Sequence, residues 1–169
     1  MTRFALARHP EPMTTAAPSP RDARPEDIEQ LLPLWASLFD QEPPLLDTWV
    51  DHARAWFGRT VGARETARFP VVDIDGRIVA CAIGTLETGV PNPQSPRGRA
   101  ARLSNVVTLP EHRGRGFGAA LVDVVIEWAR SIDADRVDLS ATPQGQRIYE
   151  RAGFRLTSAP RMKLPLENS

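Results

Sequence analysis

Cysteine occurs once in the 169 residues, tyrosine once and histidine three times, and neither sign of charge is in excess, with 21 basic residues against 21 acidic. The single Cys81 cannot close an intramolecular disulfide, and three scattered histidines beside it make no metal-ligand spacing. Balanced charge offers no global attraction to nucleic acid or an anionic membrane, so a basic site has to be local. No run approaches the ~18 apolar residues of a membrane-crossing helix, and the N-terminus lacks the apolar core of a signal peptide. These shortages predict a metal-free protein of the cytoplasm, with neither nucleic acid nor membrane as partner.

With 41% hydrophobic and 25% charged residues, the composition suits one globular domain with a real core. Residues 1–20 are rich in Pro, Thr and Ala without periodicity and are expected to form a weakly structured tail or one edge strand, leaving 21–169 as the domain. In "RPEDIEQLLPLWASLF", Pro25 sits at a first helical position, and Ile28, Leu31, Leu32, Trp35, Leu38 and Phe39 fall on one helical face. A second helix is expected from about Asp47, with Trp49, Val50, Ala53, Trp56 and Phe57 as its apolar stripe. The period then changes. "FPVVDIDGRIVACAIGTL" reads as two strands joined by Asp75-Gly76, a two-residue hairpin signal. After a Pro-rich loop come a strand, "AARLSNVVTL", a helix, "GAALVDVVIEWARSI", and a strand, "RVDLSA". A short helix in "TPQGQRIYERAG" has Thr142 as its N-cap and Gly153 as terminator, and "FRLTSAPRMKLPL" is expected to add one or two final strands.

Between the strand and the longer helix lies "HRGRGFGAALV", with Gly114, Gly116 and Gly118 at alternate positions and Arg113 and Arg115 among them. A glycine-rich turn at a helix start exposes unpaired backbone N–H groups at the positive end of the helix dipole. Without Cβ atoms the turn lets phosphate oxygens approach, and the arginines can add charge-assisted bonds. The bland alternative is that the glycines only shape a tight strand-to-helix connection. Among phosphate ligands, a dinucleotide is formally allowed, because Gly114, Gly116 and Ala119 fit its fingerprint with Asp138 downstream. Against it, "LPEHR" separates the strand from the first glycine, and 51 residues after Gly118 are too few for the second half of a doubly wound sheet. A P-loop fails, since no Lys-Ser or Lys-Thr follows the glycines.

"NVVTLPEHRGRGFGAALVDVVIEWA" resembles the acetyl-coenzyme A motif of the GNAT N-acetyltransferase superfamily, with Arg113, Gly116 and Gly118 at its signature positions. "SATPQGQRIYERAGF" is similar to the family's short helix ending in Tyr-x-x-x-Gly-Phe, and "RPEDIEQLLPL" to its first helix. The strong likeness covers about residues 102–155. It implies an α/β fold whose central mixed, mostly antiparallel sheet is splayed between its fourth and fifth strands, here "RLSNVVTL" and "RVDLSA", with helices on both faces. It further implies acetyl-coenzyme A as donor, its pantetheine arm against Val106, Val107 and Thr108, and its pyrophosphate on the N–H groups of Arg113, Gly114, Arg115, Gly116, Phe117, Gly118 and Ala119. Thr142 stands where the family often has an asparagine facing the pantetheine, and Tyr149 where it has the tyrosine that resembles a general acid. The implied reaction is direct attack by a primary amine of a small molecule or peptide in a ternary complex, in a protein whose relatives are often homodimers. A catalytically silent acyl-coenzyme A-binding module is the alternative.

The family's glutamate on the fourth strand has no counterpart in "ARLSN", which leaves Glu87, at the end of the preceding strand, as a candidate base acting through water or, more blandly, a solvated hairpin edge. Cys81 in "IVACAIG" reads as an inert core thiol, and His112 as a solvated rim residue. Asp40 and Glu42 with Trp49 and Trp56 could line a pocket for a cationic amine, or be loop surface and core.

Overall fold

The computed structural model describes residues 18–45, 47–159 and 161–166; of the expected tail, residues 1–20, all but 18–20 lie outside them. The chain begins with a two-residue strand, β1 (Arg21–Asp22), followed by a single 3-10 turn, Pro25–Asp27, that leads into α1 (Ile28–Ala36). Arg21 holds this entry together by donating to both carboxylate oxygens of Asp27, at 2.7 and 3.0 Å, and to Asp73 at 2.8 Å. Asp27 also accepts from the Arg24 backbone N–H at 2.8 Å, and its hydrogen bonds from Arg21 hold its carboxyl below the usual range. Pro33 lies inside α1. The helix gives way to a 3-10 turn at Ser37–Phe39, closed by Asp40 in the left-handed region (φ 56°). Leu38 and Phe39, expected on the buried face, are therefore 41% and 58% exposed, because the turn rotates them off the helical stripe.

The second helix, α2 (Thr48–Thr60), buries Val50 and Phe57 with Trp49, Ala53 and Trp56 packed at the margin, as the stripe predicts. A two-residue strand, β2 (Ala67–Arg68), precedes the hairpin of β3 (Pro70–Ile74) and β4 (Arg77–Thr88). Its turn is Asp75-Gly76, with φ of 52° and 82°, the pair of positive values that matches the twist of a two-residue hairpin. Next come β5 (Arg99–Thr108), α3 (Phe117–Ser131), β6 (Arg136–Asp138) and α4 (Gln146–Arg151).

The six strands form one sheet in the order β1-β3-β4-β5-β6, with β2 also on β4. Every pairing is antiparallel except β5 with β6. Residues alternate between two cores, as the pleat requires. Val71, Cys81, Ile83 and Val107 face α1 and α2, whereas Val72, Ala80, Ala82 and Leu103 face α3 and α4. Helices thus cover both faces, as the resemblance implies. Gly84 lets α3 lie close on β4, since a Cβ there would stand 2.8 Å from Val125 Cγ1 and 2.9 Å from Trp128.

β6 is shorter than the expected "RVDLSA", and α4 is shorter than "TPQGQRIYERAG". The expected final strands are absent among the described residues. Pro165 cannot donate to a ladder, and Leu156, Met162, Leu164 and Leu166 are 79–90% exposed, so no facing surface holds that segment in a sheet.

Candidate active site

β5 and β6 pair over three residue pairs, the last being Arg102 with Asp138, and then part. β6 ends while β5 runs on to Thr108, so the edge of β5 from Leu103 onward has no strand beside it among the described residues. This is the splay expected between "RLSNVVTL" and "RVDLSA"; with the short β2 counted separately, these are the fifth and sixth strands. Leu109 N–H donates to Val79 O across to β4 at 2.9 Å. By the two-residue alternation, the backbone groups of Val107 face β4 and those of Val106 and Thr108 face the open edge.

Two residues of β5 oppose one of β4 in the same stretch. The register runs Cys81 with Val107 and then Ile83 with Ser104, leaving Asn105 and Val106 against Ala82 as a β-bulge. Asn105 takes a φ of 55°, a left-handed conformation that asparagine tolerates better than other side-chain-bearing residues. The sequence does carry this signal, an asparagine within an otherwise β-branched and apolar strand, but the motif reading passes over it.

After β5 the chain makes a 3-10 turn at Pro110–His112 and enters α3 from Gly116. Gly114 and Gly116 have φ of 76° and 82°, and a Cβ on either would meet nothing within 4 Å. The Arg113 N–H, expected to be free for the pyrophosphate, donates to Pro110 O at 3.3 Å inside the 3-10 turn, and the next backbone N–H with a backbone acceptor is that of Ala120, which donates to Gly116 O at 3.1 Å. The N–H groups of Gly114, Arg115, Gly116, Phe117, Gly118 and Ala119 find no acceptor among the described residues. A run of free donors at the positive end of a fifteen-residue helix is a site for an anion. Arg113 Nε donates to Thr108 O at 3.1 Å, which ties its guanidinium to the end of β5, whereas Arg115 extends into solvent. Phe117 is buried and anchors the helix start in the core. His112 is half-buried beside the turn, with its Nδ1 buried and without a partner among the described residues.

Three parts of the site converge on Gly118. A Cβ there would lie 3.4 Å from Ile148 Cδ1 and 3.9 Å from Val106 Cγ1, so the start of α3, the bulge of β5 and α4 meet with little space between them. Tyr149, one residue on from Ile148, is half-buried with its ring edge-to-face on Phe154 at 6.1 Å between centroids. Burial pushes its phenol up from the ordinary value, and its hydroxyl has no hydrogen-bond partner among the described residues. It borders a cavity of about 280 Å3 formed by the end of β6, α4 and the C-terminal segment, to which β5 contributes no wall.

Thr142 is not the N-cap of α4. It accepts from Gly145 N–H at Oγ1 (3.3 Å) and from Gly145 and Gln146 N–H at its carbonyl (both 3.0 Å), forming a turn just before a helix that starts at Gln146. Gly153, with φ 96°, ends that helix as expected. Glu87 pairs with Ala100 at the far end of β5, about 16 Å of strand from the bulge at ~3.3 Å per residue, too far to relay a proton there through one water. Asp40 and Glu42 are exposed on the loop after α1. Cys81 is buried in the core, and burial pushes its thiol up to about 12. Among the described residues no cluster could hold a metal ion, and no helix is long and apolar enough to cross a membrane.

A mixed sheet opened between two parallel strands, with a bare helix start at the opening, defines an acyltransferase-type α/β protein. The chain belongs to the acetyltransferase (GNAT) family, whose pattern matches residues 28–154. A structure of a protein assigned as an acetyltransferase from Clostridium acetobutylicum, with acetyl-CoA, superposes with a TM-score of 0.75 at 22% identity, over 87% of this chain and 95% of that one. One assigned as an acetyltransferase from Agrobacterium tumefaciens strain C58 is 30% identical, with a TM-score of 0.70 over 87% and 99%. The uncharacterized N-acetyltransferase YobR of Bacillus subtilis is 36% identical over 55 residues, which are 31% of this chain and 22% of that protein. The match therefore spans about a fifth of that curated relative.

Proposed function

We propose that residues 21–169 form an N-acetyltransferase that moves the acetyl group of acetyl-coenzyme A to a primary amine by direct attack. The observation that carries this reading is the run of free N–H groups from Gly114 to Ala119, set where β5 and β6 diverge. The donor fits those residues. Its pyrophosphate suits the glycine turn with Arg113 and Arg115, and its pantetheine amides suit the open backbone groups of Val106 and the N–H of Thr108, whose carbonyl is held by Arg113, next to Val107; Thr142 is assigned to the same arm. When bound, acetyl-coenzyme A supplies an acyl carbon activated by a thiol leaving group.

The balance of the reaction is simple. The acceptor's ammonium first loses a proton to water; its neutral nitrogen then bonds to the acyl carbon as the C–S bond breaks and sheds its second proton to water, and the departing sulfur takes a proton from a donor that water re-protonates. The Tyr149 phenol is the donor we assign to that last step. Its hydroxyl has no competing partner, and its raised pKa keeps it protonated at neutral pH.

Purified protein with acetyl-coenzyme A and a panel of primary amines should release free thiol with at least one of them. Coenzyme A binding without thiol release for any amine would instead identify a silent acyl-coenzyme A-binding module. Tyr149→Phe keeps the ring on Phe154 and should lower kcat by about 10²–10⁴-fold with coenzyme A affinity nearly intact. A folded Phe variant with kcat within about threefold of the parent, where chemistry limits the rate, removes the phenol from the mechanism.

A further inference from the structure

Two cavities meet at Trp35. The inner one is walled by Leu31, Trp35, Phe57, Phe69, Ile83 and the bulge residue Asn105, and it has room for one water-sized group. The outer one opens to solvent with about 430 Å3 and is lined by Trp35, Phe39, Gln41, Asp47 and Trp49. Trp35 packs on Phe39 at 5.7 Å between ring centroids and on Phe57 at 6.2 Å, so a continuous aromatic wall leads from solvent to the bulge. Phe39 keeps 58% of its surface exposed, although a phenylalanine at the end of an apolar stripe would ordinarily be covered. Asp47 is the one ionisable side chain on the outer wall among the described residues.

Resting on the reading of the chain as an N-acetyltransferase, we infer that this paired cavity is the acceptor site and that it selects arylalkyl primary amines, an aromatic ring joined by a short carbon chain to –NH3+. The ring lies among Trp35, Phe39 and Trp49, where stacking rewards it, and the chain carries the nitrogen into the inner cavity beside Asn105. Asp47 and the aromatic faces attract the cation at the mouth. The hydrocarbon walls inside disfavour the charged form, so the nitrogen gives its proton to water on entry and arrives neutral. Desolvation thereby does what the missing strand carboxylate does not. A polyamine or amino sugar is rejected, because among the described residues Asn105 is the inner cavity's one strong hydrogen-bonding side chain and none of its walls is charged.

The test is calorimetric binding of 2-phenylethylamine, Nα-acetyl-lysine, spermidine and glucosamine to the full chain with coenzyme A present, with thiol release from acetyl-coenzyme A measured in parallel. We expect 2-phenylethylamine to bind at least tenfold more tightly than the other three. Phe39→Ala and Asp47→Asn, both at exposed positions, should each weaken it at least fivefold with unchanged melting temperature. Equal or weaker binding of the aryl amine, or binding indifferent to both substitutions, overturns the site. Aryl-amine binding without thiol release keeps the site and overturns the transferase reading; thiol release confined to the polar amines does the reverse.

Discussion

Replacing Gly116 by alanine separates what the glycine turn does for the fold from what it does for a ligand. Gly116 has φ 82° and ψ 0° and serves as the N-cap of α3. A Cβ on it would meet no atom within 4 Å, so no packing clash enters, and the cost to the fold is the left-handed backbone alone, about 1–2 kcal/mol. For a chain of this size that corresponds to a fall in melting temperature of about 2–8 °C. Gly62 is the matched control, with φ 91° and equally open surroundings, in the turn after α2 and away from the helix start. Gly62→Ala should therefore lose as much stability and no ligand affinity. If the free N–H groups of Gly114 to Ala119 receive a diphosphate, the new methyl at position 116 intrudes on its approach. Calorimetry should then show coenzyme A affinity lowered at least tenfold, about 1.4 kcal/mol or more. Should folded Gly116→Ala bind coenzyme A as tightly as Gly62→Ala does, the turn is not the phosphate site.

Arg113→Ala should weaken coenzyme A by about 1.5–3 kcal/mol and Arg115→Ala by clearly less, because Arg113 is anchored to Thr108 O and presents its remaining donors with less entropy to lose; equal losses in titrations of both variants would refute that ordering. Cys81→Ala should retain acetyl transfer, and no acetyl group should be found on Cys81 by mass spectrometry during turnover, since burial holds its thiol protonated. The same shift fixes a pH dependence. The folded thiol is pushed up to about 12 from 9.0, so the unfolded chain ionises first; the stabilisation is full below about pH 9 and declines by up to ~1.4 kcal/mol per pH unit as pH rises toward 12. Urea unfolding at pH 8 and pH 10.5 should show a steeper loss for the parent than for Cys81→Ala, and parallel losses would count against it. Gly84→Ala should destabilise by about 1–3 kcal/mol in thermal or urea unfolding, because its methyl would press on Val125 and Trp128; an unchanged midpoint would mean that α3 shifts freely on the sheet.

Local chemistry settled much of this protein before any tertiary contact was known. The hairpin at Asp75-Gly76, the apolar stripes of α2 and α3, and the glycine turn before Phe117 each rest on residues adjacent in sequence, where backbone preference and periodicity act alone. The likeness of residues 102–155 to one family followed from the same local patterns. What the sequence left open depends on which surfaces meet. The end of α1 at Ala36, which exposes Phe39, and the lack of a final strand among the described residues were decided by tertiary context, against a continuing apolar pattern. Asn105 took its left-handed conformation because β4 and β5 pair with an unequal number of residues, and no property of asparagine alone imposes that register. The convergence of Val106, Gly118 and Ile148, like the pairing of Trp35 with both cavities, joins residues far apart in the chain. Such contacts exist only once two helices and an open sheet edge have packed, which is why the glycine turn was legible in the sequence while, of the outer aromatic cavity, only Trp49 was.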